Sequence, residues 1–310
     1  MAWLPSRAAA SEGLDPPTQF TTDLSNRLSR GHRAHAAAVF CGLYDDSVSL
    51  EERSMNPHRR RQLILYSLMA LGESWPSPHA FAASDADFMA VIASPLRSED
   101  DRKADENRKP LALLRFAQLQ AGMTVLDISA GGGYTTQLMA LAVGPRGKVW
   151  SQLEQPRPAL DQRLAEHPQA NIEVLLRPLE DPFPAAAPRV DLVTLVLSYH
   201  DIAYAPVNRS RMNRAIFAAL KPGGHLLLID HAAKPGHGLS DVKTLHRIDK
   251  RTVRSEIESV GFVFEAEADF LRNPKDRRER AFFDMTTPTD RFVLRFVKPC
   301  RGGRPGPCSG

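Results

Sequence analysis

The sequence has little cysteine. Its three cysteines among 310 residues are Cys41, Cys300 and Cys308, and no two are spaced as Cys-x-x-Cys, which excludes a zinc or iron–sulfur centre built on thiolates. No apolar run reaches the roughly 18 to 20 residues that a membrane-spanning helix needs. The formal net charge is only +4, and aromatic residues are not interleaved with the basic ones. We therefore expect neither a membrane span nor nucleic-acid binding.

The chain divides by composition into one long folded unit with irregular ends. With 43% hydrophobic residues, 310 residues are ample for one sizeable core. We expect the fold to occupy residues 84–299. Residues 1–54 are polar and broken by glycine and proline, which predicts either disorder or an extension foreign to the natural protein. Residues 300–310 form a glycine- and proline-rich tail that we expect to be disordered.

The segment 55–82 has the pattern of a secretory signal peptide. Met55 is followed by Arg59-Arg60-Arg61, by the apolar run Leu63–Leu71, and by an Ala-x-Ala end at Ala80-Phe81-Ala82. If Met55 is the true start, the protein is periplasmic or secreted; otherwise it is cytoplasmic. An amphipathic helix docked on the domain remains the alternative.

Within residues 84–299, short apolar runs alternate with segments of helical spacing. The central runs are continuously apolar, as a parallel sheet covered on both faces requires. No helical pattern separates the last two, so we expect them to pair antiparallel. The sequence therefore predicts an α/β fold, a doubly wound and mostly parallel seven-stranded sheet with an antiparallel terminal strand pair. The predicted strands are Thr124–Ile128, Lys148–Gln152, Ile172–Leu176, Val190–Leu197, His225–Ile229, Phe262–Ala268 and Arg291–Val297.

A glycine-rich turn, Asp127–Gly133, follows the first predicted strand and opens a helix. A nucleotide-like ligand needs glycine there, because a Cβ would block its approach to the backbone. Free N–H groups at the helix start can meet polar ligand atoms. A tight structural turn without a ligand is the alternative.

This stretch resembles the first motif of class I S-adenosylmethionine-dependent methyltransferases, an acid followed by Gly-x-Gly-x-Gly. Ser129 stands at the first glycine position, while Gly131 and Gly133 match the other two. The resemblance implies a Rossmann-like methyltransferase fold with S-adenosylmethionine as cofactor. It also implies that Asp127 and the backbone of Gly131, Gly132 and Gly133 surround the amino-acid part of that cofactor.

Further cofactor contacts are expected after the next two strands. The second strand should end in an acid that accepts hydrogen bonds from both ribose hydroxyls, and Glu154 is the candidate; an exposed loop glutamate is the alternative. Leu179 and Glu180 resemble the family's adenine-side loop, with Pro178 at the position where an acid is usual. Base recognition should then use backbone groups near Leu179 and Glu180.

Other segments resemble one bacterial subgroup, often exported methyltransferase-like proteins. Together with the first motif they cover nearly the whole folded unit. The segments are Ser198-Tyr199-His200-Asp201, Leu220-Lys221-Pro222-Gly223-Gly224, Ile229-Asp230-His231, Leu245-His246-Arg247-Ile248-Asp249, Leu271-Arg272-Asn273-Pro274 and Asp290-Arg291-Phe292-Val293-Leu294. We place Ser198 among the cofactor-binding candidates.

The catalytic candidates follow the fourth and fifth predicted strands, where an open α/β sheet binds its ligands. A neutral His200 is the first candidate for a general base, oriented by Asp201 or Tyr199, and His231 is the second. A structural or substrate-orienting role for these histidines is the alternative.

His246 and Asp249 come from the next connection and are expected to fold over the same edge of the sheet. A metal held by His200, Asp201, Asp230 and His231 is a less favoured variant. Since their spacing matches no recognised metal motif, the sequence predicts no metal site.

These observations lead to one expected function and two alternatives. We expect a methyltransferase that uses S-adenosylmethionine on an unidentified small-molecule acceptor by in-line transfer, in which the protein mainly positions the substrate. The alternatives are a non-catalytic S-adenosylmethionine-binding protein of the same fold and a nicotinamide-dependent oxidoreductase. The departure from Gly-x-Gly-x-x-Gly and the terminal strand pair argue against the oxidoreductase.

Overall fold

Seven strands form a single mixed sheet in the computed structural model, which describes residues 84–300. The spatial order is β3-β2-β1-β4-β5-β7-β6. Neighbouring strands from β3 to β5 run parallel, and β7 is antiparallel to both β5 and β6. The predicted fold class, including the antiparallel terminal pair, is confirmed. The strands are β1 Thr124–Ile128, β2 Lys148–Leu153, β3 Ile172–Leu176, β4 Val190–Val196, β5 Leu220–His231, β6 Val263–Ala268 and β7 Arg291–Val297.

Eight α-helices accompany the strands within residues 84–300, with a 3-10 turn at Phe282–Asp284. Three of these helices precede β1 and four others lie in the connections between parallel strands. The helices are α1 Asp85–Ile92, α2 Glu99–Arg108, α3 Pro110–Ala117, α4 Tyr134–Val143, α5 Pro158–Glu166, α6 Tyr199–Tyr204, α7 Arg209–Ala219 and α8 Lys250–Glu258. Within residues 84–300, no helix is long and apolar enough to span a bilayer. The predictions for residues 1–54, 55–82 and 301–310 lie outside the described part of the chain.

Two hydrophobic clusters cover the two faces of the sheet, as alternate residues of the central strands show. In β1, Leu126 and Ile128 belong to one cluster and Val125 to the other. Both clusters are fully buried at these positions. Burial on both faces explains why the central strands read as continuous apolar runs rather than as alternating ones.

The helices α1 and α2 begin at capping boxes that sequence periodicity did not reveal. The Ser84 hydroxyl accepts from the Asp87 N–H, and the Ser98 hydroxyl accepts from the Asp101 N–H. In each case the aspartate side chain accepts from the N-cap N–H in return. Because α2 is almost entirely charged, it has no apolar period to recognise. Its last residue, Arg108, nevertheless becomes part of the candidate site.

The largest difference from the predicted strand boundaries is at the start of β5. This strand was predicted to begin at His225, but it begins at Leu220, which pairs with Val190, and so it includes Pro222-Gly223-Gly224. The pairing shifts register between Val190 and Leu192. A Cβ on Gly224 would lie 3.0 Å from the carbonyl oxygen of Asp191. The glycines therefore let the strand backbone approach β4 closely at this irregularity.

Candidate cofactor cavity and histidine cluster

In the glycine-rich turn after β1, every second residue from Ser129 to Gly133 has a left-handed backbone. Ser129, Gly131 and Gly133 have φ angles of 55°, 60° and 82°. A Cβ on Gly133 would lie 2.5 Å from Leu160 Cδ1, so this glycine is needed for packing against α5. A Cβ on Gly131 would meet no atom within 4 Å. Gly131 is therefore needed for its conformation and for the space that it leaves open.

Ser129 adopts this conformation at the position where the family motif has glycine. A non-glycine residue there is strained. The Ser129 N–H donates to Gln152 Oε1 at 3.0 Å, and Gln152 Nε2 donates to the carbonyl oxygen of Arg177 at 2.6 Å. The buried Gln152 therefore ties the turn to the ends of β2 and β3, which helps Ser129 to hold its backbone angles. A polar residue inside an apolar strand is the sequence signal that would have found it.

A cavity of about 290 Å³ opens beside the turn. Five of the predicted cofactor residues line it, namely Asp127, Ser129, Gly131, Gly132 and Ser198. The other lining residues are Arg108, Ala130, Tyr134, Thr135, Arg163, Val196 and Leu197. Gly133, Glu154, Leu179 and Glu180 are not part of this lining.

The Asp127 side chain is buried, and its carboxylate accepts hydrogen bonds from two hydroxyl groups. The hydroxyls of Thr136 and Thr194 each donate to one of its oxygens at 2.7 Å. Burial raises the pKa of Asp127 to about 6, against the lowering effect of these two hydrogen bonds. The Asp127 side chain thus holds the end of β1 in place beside the cavity. Its partners Thr136 and Thr194 were not predicted from the sequence.

The two predicted cofactor positions after β2 and β3 lie near each other. Glu154 is exposed directly after β2, and its Oε1 accepts from the Leu179 N–H at 3.4 Å. The Leu179 side chain is buried in the core, so only its backbone remains for recognition. Glu180 accepts from the Asn208 N–H at 3.0 Å. The roles of Glu154, Leu179 and Glu180 stay predictions.

Arg108, which the sequence analysis missed, contributes a cation to the cavity wall. Its guanidinium carbon lies 4.6 Å from the centre of the Tyr134 ring. Among residues 84–300, it makes no ion pair with a carboxylate, and burial lowers its pKa. A half-buried guanidinium without a carboxylate partner is suited to an anionic group of a ligand.

A second cavity, of about 350 Å³, lies beyond the first. A narrow cavity of about 10 Å³ lies between them, since its lining shares Arg108 with the first cavity and Arg291 with the second. The second cavity has a basic lining that includes Lys109, Arg272 and Lys275. It also includes Thr289, whose hydroxyl lies 2.6 Å from His231 Nδ1.

Three histidines gather where β4 and β5 end. The ring centre of His200 lies 5.4 Å from that of His231 and 5.6 Å from that of His246. Asp230 holds His200 twice: its Oδ2 accepts from the His200 N–H at 2.8 Å, and its Oδ1 lies 2.6 Å from His200 Nδ1. The parallel neighbours β4 and β5 produce this arrangement, since their carboxyl ends share one edge of the sheet.

Of the two expected orienting residues of His200, Tyr199 needs correction, whereas Asp201 Oδ1 lies 3.2 Å from His200 Nε2. The Tyr199 hydroxyl donates to Glu256 at 2.7 Å and accepts from Asn213 at 2.8 Å, so Tyr199 is a core residue turned away from His200. Burial and the charge of Glu256 raise its pKa. Asp230, which the sequence analysis named only as a possible metal ligand, is the residue that orients the His200 ring.

Asp249 likewise has a structural position. Its oxygens accept from the N–H groups of Gly236 and Arg251, which makes it the N-cap of α8. It holds the preceding loop to the helix start and does not join the histidines. Of the two residues expected from this connection, only His246 therefore lies against His200.

The charges around His200 differ from those around His231. Burial lowers the pKa of His200, but the charge of Asp230, its hydrogen bond to the ring and the charge of Asp201 outweigh burial and raise this pKa to about 9. Burial, followed by the charge of His200, lowers the pKa of His231 to about 2. At neutral pH His200 is therefore protonated. Both of its ring nitrogens then carry a hydrogen, so His200 cannot accept a proton as the predicted neutral base would.

Comparison with known proteins gives sequence matches over part of the chain. A family model of protein-L-isoaspartate(D-aspartate) O-methyltransferase matches residues 107–177. The protein-L-isoaspartate O-methyltransferase of Ignicoccus hospitalis is 30% identical over 129 residues, which are 40% of this chain and 54% of that protein. The match thus spans about half the length of this curated relative.

Solved methyltransferase structures are similar at lower identity. A SAM-dependent methyltransferase from Aquifex aeolicus is 18% identical with a TM-score of 0.49, covering 70% of this chain and 99% of that one. Aeropyrum pernix fibrillarin, with natively bound S-adenosyl-L-methionine, is 20% identical with a TM-score of 0.41, covering 60% and 74%. Because both scores lie below 0.5, the fold assignment rests on the strand order of this chain. That order and the glycine-rich turn are those of the class I S-adenosylmethionine-dependent methyltransferase fold, and residues 107–177 match a methyltransferase family model.

Proposed function

We propose that the protein transfers a methyl group from S-adenosylmethionine to a small-molecule acceptor by in-line displacement. The observation that carries this proposal is the open cavity beside Gly131, at the carboxyl ends of the parallel strands. Ligands of open α/β sheets bind at that edge. Gly131 has no side chain to fill the cavity, and a cation, Arg108, stands in its wall.

The residues present fit the methyl donor. Arg108 would bind the donor's carboxylate, because it is a half-buried guanidinium without an acidic partner among the described residues. N–H groups of the turn would face the rest of the amino-acid part. Glu154, exposed after β2, would accept hydrogen bonds from the ribose hydroxyls.

The transfer step requires positioning and one proton acceptor. The donor's sulfonium makes its methyl carbon electrophilic; the acceptor's nucleophile bonds to that carbon as the carbon–sulfur bond breaks, with the electron pair on sulfur. Ser198 lines the donor cavity, and His200 follows two residues later. His231, the histidine of the cluster that is neutral at neutral pH, would take the acceptor's proton.

The second cavity supports a small acceptor. Its volume of about 350 Å³ falls within the usual range for small-molecule sites. Its wall at Thr289 contacts His231, so an acceptor bound there would lie beside the cluster. The family model matches only residues 107–177, which end directly after β3, so the acceptor named in its description is not carried over to this chain.

A product screen tests the proposed activity. The purified full chain is incubated with S-adenosylmethionine carrying a deuterated methyl group and a broad set of small metabolites, and products are read by mass spectrometry. We expect one labelled product, formed together with an equal amount of S-adenosylhomocysteine. Donor binding without any labelled product would instead identify a non-catalytic binder, and NADH binding without donor binding would identify an oxidoreductase.

The assignment of Arg108 makes a separate prediction. Arg108→Met should weaken S-adenosylmethionine binding about 10- to 100-fold, because a hydrogen bond to a charged group contributes about 1.5–3 kcal/mol. It should leave binding of methylthioadenosine unchanged, since that ligand lacks the carboxylate. Both affinities are measured by calorimetry.

Lys103→Met is the matched control, because Lys103 lies on the same helix and is exposed, paired with Asp100 at 3.0 Å. This control should bind both ligands as the wild type does. An equal loss for both ligands in Arg108→Met would contradict a carboxylate contact.

A further inference from the structure

We propose that His200, Asp201 and His246 form a binding site for one divalent first-row transition-metal ion. The site lies next to the proposed methyl-transfer centre and deepens that function. The evidence for it is geometric and does not depend on the donor.

Three ligand atoms converge from two parts of the chain. His200 and Asp201 belong to α6, directly after β4, whereas His246 comes from the loop after β5. That loop is fixed beside the strand end, because the Ile248 N–H donates to the carbonyl oxygen of His231 at 3.0 Å. His246 itself has a left-handed backbone, with φ of 50°. Such conformations are costly for a non-glycine residue and are concentrated at functional sites.

The distances suit joint coordination. One ligand atom from each of the three residues lies within 4.8 Å of the other two. Asp201 Oδ1 is 3.2 Å from His200 Nε2 and 2.8 Å from His246 Nδ1. Two atoms bound about 2.0 Å from a tetrahedral ion lie roughly 3.3 Å apart. An ion therefore fits among these atoms with small side-chain adjustments.

The second, independent observation is the free nitrogen of His200. His200 is 1% exposed, and its Nε2 has no hydrogen bond although Asp201 lies 3.2 Å away. Leaving a buried polar atom without a partner is costly. This nitrogen points toward the two other ligands, so a metal ion would satisfy it.

Asp230 provides the support that a metal-binding histidine usually has. A ligating histidine commonly binds a carboxylate through its other ring nitrogen, which fixes the tautomer and the ring. Asp230 is fully buried, lies 2.6 Å from His200 Nδ1, and accepts from the backbone N–H groups of His200 and His231. Nε2 is thereby left as the metal-facing nitrogen.

The ligand set indicates the class of ion. Two imidazoles and one carboxylate suit zinc, iron and similar ions better than magnesium or calcium, which prefer oxygen alone. The side chain of Asp201 is 55% exposed, which gives the ion a path from solvent. Three protein ligands leave at least one position open. An acceptor oxygen bound there would lose its proton more readily, and His231 would remain to take that proton.

Cobalt titration tests the site on the full chain. The protein is freed of metal with a chelator and dialysed, then titrated with Co²⁺ without donor while the visible absorption of bound cobalt is recorded. We expect one ion per chain for the wild type. His246→Ala and Asp201→Ala should each weaken binding about 100-fold or more, with melting temperature recorded to confirm folding.

His237→Ala is the matched control, since His237 is a similarly exposed histidine that lies 2.9 Å from a carboxylate, that of Asp241. It should bind cobalt as the wild type does. Absence of stoichiometric binding, or equal binding by wild type and His246→Ala, would overturn the site and leave only a histidine–aspartate hydrogen bond.

Failure of the metal site can be distinguished from failure of the proposed function. None of the three ligands lines the donor cavity, so the metal-free protein and both ligand variants should bind S-adenosylhomocysteine with wild-type affinity. Loss of donor binding in all proteins would contradict the proposed function without affecting the cobalt result.

Discussion

Replacing Gly131 by valine is expected to abolish donor binding while the protein stays folded. A Cβ at Gly131 meets no protein atom within 4 Å, and Gly131 lines the cavity, so we expect a side chain there to enter the cavity and not to clash with the core. The left-handed backbone, with φ of 60°, adds a strain of about 1–2 kcal/mol. We expect calorimetry with S-adenosylhomocysteine to show at least a hundredfold loss of affinity.

Gly122→Val is the control for strain alone. Gly122 also has a positive φ, 86°, and free space within 4 Å, but it lies at the opposite end of β1. Urea unfolding should show a similar loss of stability for both variants, with donor affinity lost only for Gly131→Val. Donor binding by Gly131→Val at wild-type strength would mean that the donor does not occupy this cavity.

Replacing Arg247 by methionine is expected to be the most destabilising single change considered, lowering the free energy of unfolding by about 3–5 kcal/mol. Arg247 is fully buried and lies 2.8 Å from Asp276, whose side chain is also buried. It also donates to the carbonyl oxygens of Ala232 and Arg280. Methionine would leave the Asp276 carboxylate and both carbonyls without these donors. Urea unfolding with matched slopes measures the loss.

The same variant tests how residues 276–285 are held against the histidine cluster. Phe282 of this segment stacks on His231, with ring centres 5.0 Å apart. Arg247 holds the segment through its hydrogen bonds to Asp276 and to the carbonyl oxygen of Arg280. Lys234→Met is the control, because Lys234 binds Glu279 of the same segment at an exposed pair. An exposed pair contributes less than about 1 kcal/mol. Equal effects of the two substitutions would show that the buried pair is not the anchor.

Much of the sheet was predictable because its central strands are buried on both faces. Short, mainly apolar runs with turn residues at their ends place β1, β3 and β7 with the bounds that the structure has. The glycine-rich turn was predictable for a related reason, since Gly131 and Gly133 occur where the backbone must be left-handed. Local patterns of this kind need no knowledge of distant contacts.

The remainder of the site depends on contacts that sequence spacing does not encode. Asp230 lies on β5 and orients His200, which follows β4, although Asp201 is the residue next to His200 in the chain. Arg108 reaches the donor cavity from a helix held by polar contacts, including the ion pair between Asp101 and Arg163 at 2.5 Å. Such helices have no apolar period, so only the folded structure brings their residues to the cavity.

The most direct test of the account is a crystal structure of the protein with S-adenosylhomocysteine. It should show the homocysteine part against the backbone at Gly131, with its carboxylate at Arg108 and its ribose at Glu154. A ligand bound at another surface, or a bound ligand that leaves the cavity beside Gly131 empty, would contradict the account.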